Sequence, residues 1–291
     1  MGRAIKPSGK KKQSNPSLAV AVAQQQKTAI RAGQIPDDIG LLPDTFIMPR
    51  GKNRPSWFSN FGGRWRMERK RMRIRMQELL STIMYRFFMV RPRPRLQIRS
   101  IPGIAKDLQK QMYTLFASGN LAPIESRICE GLLGSLRSRI GQRPPNTALR
   151  WTLHKYLSRP KVASYRAAIM PAQKGETSSE KNGAVQAVVR IHSLQSLQHV
   201  KRVSTRDAAG HIAVREVVVD AQGREVAPVA EGEVPKDAKE SVEYLVVQKS
   251  LRRSREGPWM IWGTAEETTL EKIRREDKKD SSQGLVAKPA S

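Results

Sequence analysis

Arg64, Arg66, Arg69, Lys70, Arg71, Arg73 and Arg75 place seven cations within twelve residues. A guanidinium is planar and always charged, and its forked donors match phosphate oxygens two at a time. The run therefore suits phosphoryl oxygens, on RNA or on an anionic lipid headgroup. Arg91, Arg93 and Arg95 extend the same chemistry toward the C-terminal side. Trp57, Phe58, Phe61 and Trp65 lie within the basic stretch. Aromatic rings there can stack on unpaired bases or sit at a bilayer interface. The bland alternative is a solvated face of an ordinary domain helix, and the density of charge argues against it.

Catalytic patterns are weak. Cys129 is the only cysteine, so neither an intrachain disulfide nor a cysteine-rich zinc site is possible. His154, His192, His199 and His211 never pair at four-residue spacing beside a glutamate. Ser158, His154 and Asp107 have no spacing that ties a nucleophile to a base and an orienting acid. Gly62-Gly63 precedes a basic helix but lacks the spacing of a nucleotide-binding loop. No catalytic residue, cofactor or metal site is expected. A small α+β enzyme with one buried carboxylate as general base is the remaining catalytic alternative.

The charge balance points the same way. The chain has 291 residues, a net charge of +27 and a pI near 10.9. Such an excess repels itself unless a polyanion neutralises it. Residues 50–99 carry fifteen of the bases against only Glu68 and Glu78. Aromatic content of 5% and apolar content of 38% imply that part of the chain lies outside any core. The first acid is Asp37, after Arg3, Lys6, Lys10, Lys11, Lys12, Lys27 and Arg31. A basic, acid-free start suits mitochondrial targeting or a disordered polycationic tail, and it has no apolar segment of a secretory signal. No run approaches the ~20 apolar residues of a membrane span; Leu79–Val90 is too short and contains Arg86. Membrane attachment, if any, is expected to be peripheral.

The elements that must position these residues follow from periodicity. Prolines and glycines keep residues 1–50 extended, apart from a weakly helical Ser17–Ala32. Trp65–Val90 has a helical period: Met72, Met76, Leu79, Ile83 and Phe87 share one face, widened by Leu80, Met84 and Phe88. Arg91-Pro92-Arg93-Pro94 ends it. Ala105–Ser118 and Pro123–Gly141 read as amphipathic helices, separated by a C-cap signal at Gly119-Asn120. The period then changes to two. Lys161–Pro171, Gly183–Val200, Val214–Val219, Ser241–Leu251 and Trp259–Gly263 read as strands, with turns at Asp220–Gly223 and Glu256–Pro258 and a loop at Lys174–Asn182. Val185, Ala187, Val189 and Ile191 alternate with Gln186, Arg190 and His192, the pattern of an antiparallel sheet buried on one side. Trp259 shares a face with Ile261 and is expected in the core. Trp262 shares the other face with Met260 and is expected to meet a partner. Glu266–Asp277 reads as a closing helix. Helices followed by strands indicate an α+β domain. The expected organisation is an extended or targeting arm (1–50), a basic helical region (51–103), the α+β domain (104–278) and a tail (279–291).

Three stretches carry a resemblance. Trp151–Arg166 resembles the first strand of mitochondrial Tim-forty-four-like domains. Val234-Pro235-Lys236-Asp237, Val242–Lys249 and Trp259–Gly263 resemble the end of that domain, in the form it takes in a large-subunit mitoribosomal protein of animals. Leu42–Pro49, ahead of a basic helix, is similar to the Mba-type mitoribosome receptors of fungi. The resemblance implies helices packed on the concave side of a strongly curved, cone-shaped antiparallel sheet. It implies a peripheral protein on the matrix side of the mitochondrial inner membrane that holds the ribosomal large subunit, its RNA and proteins, near the tunnel exit. Its further partners would be anionic lipid, an Oxa-type insertase and nascent membrane proteins. The alternatives are an anchoring subunit of the import motor and a permanent large-subunit protein. The family supplies no catalytic residues.

Overall fold

The computed structural model describes residues 38–91, 98–144, 147–170, 181–206, 212–219, 225, 235 and 238–277. The expected arm up to residue 37, with Ser17–Ala32, lies outside this set, as do Arg93, Arg95, most of the 174–182 loop, the 220–223 turn and the tail. Helices come first: α1 (Phe61–Met84) with a π turn (Tyr85–Met89), α2 (Ile101–Ser118), a 3-10 turn (Ala122–Arg127) and α3 (Glu130–Gly141). Strands follow: β1 (Thr147–Met170), β2 (Asn182–Arg206), β3 (Ile212–Val219), β4 (Lys239–Arg252) and β5 (Arg255–Ala265). Residues 270–277 are again helical. The fold is α+β, as the change of period predicts.

The strands form one antiparallel sheet in the order β1-β2-β4-β5, and β3 pairs with β2 beyond the end of β4. The sheet is open and not strongly curled, which corrects the cone implied by the resemblance.

Local chemistry explains most boundaries. The N–H of Asn120 returns to the carbonyl of Leu115 (3.1 Å) around Gly119, whose φ of +81° only glycine adopts without strain, so α2 stops where the sequence predicts. The expected helix Pro123–Gly141 is instead divided. Ile128 bridges to Ile261 and the Cys129 N–H donates to the Ile261 carbonyl (2.9 Å), so a tertiary bond to β5 outcompetes the helical ladder. β1 begins at Thr147, well before Lys161. Pro160 is tolerated because β1 is an edge strand, and the register shifts between Ser158 and Lys161. The β4–β5 hairpin turns on Arg253 and Ser254, both at positive φ (48° and 62°), not at Glu256–Pro258. Neither residue advertises such a turn. It is held by Arg253 N–H to Asn182 Oδ1 (2.9 Å) and Ser254 N–H to the Lys181 carbonyl (2.8 Å).

One face of the sheet is the expected core. Ala187, Val189, Ile191, Leu245, Val247 and Ile261 lie against Ala105, Leu108 and Met112 of α2 and Leu133 and Leu136 of α3. The other face, read as polar and outward, is also covered. The strap of residues 38–50 crosses it, with Ile47 packed against Val188, Tyr244 and Val246. Gln186, only 3% exposed, holds the strap: its Oε1 accepts from Leu42 N–H (2.9 Å), and its Nε2 donates to the Gly40 carbonyl (2.5 Å) and to Gln248 Oε1 (3.2 Å). One-sided burial is therefore corrected. A glutamine can satisfy backbone groups that no apolar residue could.

The strap also decides the two tryptophans. Trp259 packs against the core and carries Lys249 over its ring at 4.9 Å. Trp262 lies on the opposite face, but against the strap cluster, and donates Nε1–H to Asp38 Oδ1 at 2.8 Å. Both are part-buried. Trp259→Ala and Trp262→Ala are each expected to cost about 2–3 kcal/mol, below the ~3–5 of a fully buried aromatic. Thermal melts check this, and an unchanged melt for Trp262→Ala would show that the strap does not hold it.

Candidate functional site

α1 starts at Phe61, four residues before the apolar period suggests, and is capped by Asn60, whose Oδ1 accepts from Gly63 N–H at 3.0 Å. Its inner side presents few apolar residues: Met67 and Ile74, which pack with Phe46 of the strap and Ile273. The rest of that side is ionic. Glu68 accepts from Arg64 (2.6 Å), Arg71 (3.0 Å) and Arg54 (3.2 Å), and Lys70 pairs with Glu276 (2.6 Å). Arg64 is 3% exposed and stacks over Trp57 at 5.1 Å, while its Nε and Nη1 find no partner. Glu78 accepts from the Ser164 hydroxyl of β1. Burial raises its pKa, against the lowering effects of Ser164, the Tyr165 backbone, Arg166 and Arg75. The π turn then swings Tyr85 and Met89 into the sheet end beside Val185 and Leu251.

With its ionic side turned inward, α1 turns its apolar side out. Phe61, Trp65, Met72, Met76, Leu79 and Ile83 step by four, seven, four, three and four residues along one stripe. All are exposed, Met72 by 66% and Leu79 by 55%, and Leu80 (58%) and Phe88 (69%) widen the surface. Arg69 lies in the stripe; Arg66 and Arg73 flank it on one side and Arg75 and Arg86 on the other. Trp57 and Phe61 meet at 5.8 Å between ring centroids, and Phe58 is fully exposed at the stripe's beginning.

The structure thus divides the residues singled out in the sequence. Arg66, Arg69, Arg73 and Arg75 are exposed, and the first three make no ion pair among the described residues. Arg64, Lys70 and Arg71 are engaged in ion pairs with Glu68 and Glu276. Arg91 is exposed, with its N–H on the Ser254 carbonyl (3.2 Å). Trp57, Phe58, Phe61 and Trp65 lie in the same segment as the exposed arginines, whereas Trp262 packs in the strap cluster. Glu68 and Glu78, the only acids of the segment, are what orient the helix, and their isolation among fifteen bases was the signal for it.

The weak catalytic patterns are occupied otherwise. His154 Nε2 meets the Ser196 hydroxyl at 2.8 Å, and the Ser158 hydroxyl accepts from Arg190 at 3.2 Å. Glu243 accepts from Gln109 (2.7 Å), Tyr113 (3.0 Å), Gln195 (2.9 Å) and Ser241 (3.1 Å). Four donors leave it little capacity to take a substrate proton. Among the described residues no group of His, Cys, Asp and Glu could hold a metal ion.

A family model described as MBA1-like protein matches residues 75–222, just over half of the chain, from within α1 to beyond β3. The chain belongs to the MBA1-like family. The matched part of this MBA1-like chain contains α2, α3 and β1–β3, with the C-terminal part of the outward stripe. No curated protein is significantly similar. Membership is consistent with a mitoribosome-associated receptor and with the mitochondrial inner membrane. Among the described residues no helix is long and apolar enough to cross a membrane.

Proposed function

We propose that the chain is a mitochondrial ribosome receptor. It binds the large subunit near the tunnel exit and holds it at the matrix face of the inner membrane, where an Oxa-type insertase receives nascent membrane proteins. The observation that carries this reading is the outward stripe of α1 with its flanking arginines. An apolar helix face left in water is costly, and a lipid interface covers it while the arginines meet anionic headgroups. The ribosome is reached through other cations, among them Arg91, Arg93, Arg95 and the bases ahead of Asp37. Phosphates of ribosomal RNA are the matching surface.

The test has two arms. Replacing Arg66, Arg69 and Arg73 by glutamate removes three exposed cations, each worth ~1 kcal/mol at an anionic surface, so vesicle affinity should fall by at least about 100-fold. The melting temperature should hold, because these residues make no ion pair among the described residues. In the second arm, co-sedimentation with mitochondrial ribosomes should weaken by roughly 10³–10⁵ between about 50 and 200 mM salt if ~6–10 phosphates are contacted. Equal binding of the triple variant to anionic vesicles would overturn the membrane half. Salt-indifferent co-sedimentation would overturn the ribosomal half.

A further inference from the structure

A cavity of about 500 Å³ opens beside α1, enclosed by the strap, the Arg71–Glu78 segment, β1 and Tyr244 of β4. Six cations line it, Arg50, Arg54, Arg71, Arg75, Lys161 and Arg190, against the single carboxylate of Glu78. The volume lies in the range of small-ligand sites, ~300–1,000 Å³. Like charges gathered around one concavity repel each other, and Glu78 is the one acid on its wall. Arg54 and Arg71 share Glu68 with Arg64, so three guanidinia have one carboxylate between them. Arg190 gives Nη1 to the Ser158 hydroxyl, while its Nε is buried with no partner. A buried donor without a partner costs stability, and Arg190 is held at this wall despite that cost. Ile74, Val162 and the strap residues Phe46, Ile47 and Met48 are among the apolar residues of the wall.

We propose that this cavity binds a small anion carrying two or more phosphate groups. A single carboxylate ligand would leave most of the six cations unpaired. Two phosphates offer paired oxygens to several guanidinium forks at once, the geometry in which arginine outperforms lysine. The phosphates can belong to a two-phosphate lipid headgroup or to a soluble pyrophosphate. The site shares only Arg75 with the margin of the outward stripe, and its other cations do not belong to that surface.

Titration calorimetry of the full chain with inorganic pyrophosphate is the direct test. Saturable one-to-one binding is expected, weakened by about tenfold or more in Arg190→Gln, because a charge-assisted hydrogen bond is lost. Arg50 and Lys161 are exposed, so the double variant Arg50→Ala/Lys161→Ala should fold normally and show the same loss. Vesicles of matched surface charge separate the sources. Preference for a two-phosphate over a one-phosphate lipid, lost in the double variant, assigns the ligand to a headgroup, and equal binding assigns it to a soluble anion. The Arg66/Arg69/Arg73→Glu variant should keep pyrophosphate affinity within about twofold, since those side chains lie outside the cavity wall. Absence of saturable pyrophosphate binding overturns the proposal, as does binding that survives both cavity variants.

Discussion

Replacing Met76, Leu79, Leu80 and Ile83 together by glutamine should abolish binding to lipid vesicles and leave the melting temperature nearly unchanged. The four side chains are 54%, 55%, 58% and 42% exposed, so the folded protein gains little from them. Glutamine keeps a helix propensity close to that of leucine and methionine, so α1 itself should survive. At a lipid interface the same side chains are worth about 0.8–1.5 kcal/mol each, taking half of the ~1.5–3 for full burial. The sum of about 3–6 kcal/mol corresponds to roughly 10²–10⁴ in affinity. Flotation with anionic vesicles and a circular-dichroism melt read the two quantities separately. If this face were packed in a core, each truncation would cost ~2–5 kcal/mol and the melt would collapse. That outcome would reverse the orientation of α1.

The second large effect is on stability. Gln186→Ala should lower stability by about 3 kcal/mol or more. It leaves Leu42 N–H, the Gly40 carbonyl and Gln248 Oε1 without their glutamine partner in a buried layer, at ~1–3 kcal/mol for each group that water cannot reach. Total stability is typically ~5–15 kcal/mol, so the loss is a large fraction. At ~2–4 °C per kcal/mol, the melting temperature should fall by roughly 10 °C. The strap should also become sensitive to proteolysis, and Trp262 beneath it should become accessible to fluorescence quenchers. A melt within about 2 °C of the parent would mean that the strap adds little to the sheet.

Much of the fold was legible. The change from a period near four to a period of two placed the helices before the strands, and the Gly119 stop of α2 followed from backbone chemistry alone. The alternation of Ala187, Val189 and Ile191 identified the core face of β2, with Val185 packing at its end against Tyr85 and Met89. The stripe of α1 was legible as a set of residues sharing a face, and so was the cationic density around it. These are short-range properties, set by the spacing of side chains along a regular backbone.

What only the tertiary structure decided is what covers each face. Periodicity says that Met76, Leu79 and Ile83 point the same way, but not whether that way is inward. Glu68 and Glu78, by gathering arginines and a serine hydroxyl on the opposite side, turned the stripe outward. Gln186 looked like a solvated residue until the strap brought backbone groups for it to bond, 144 and 146 positions away. The break before α3 arose in the same way, from the Cys129 N–H meeting β5. The cationic cavity joins Arg50, Arg75, Lys161 and Arg190, which no local spacing connects. The sequence by itself determined the order and type of most elements, their amphipathic faces and the excess of positive charge. Orientation, strap and cavity depended on hydrogen bonds and ion pairs between distant residues, whose strength comes from burial that exists only once the chain has folded.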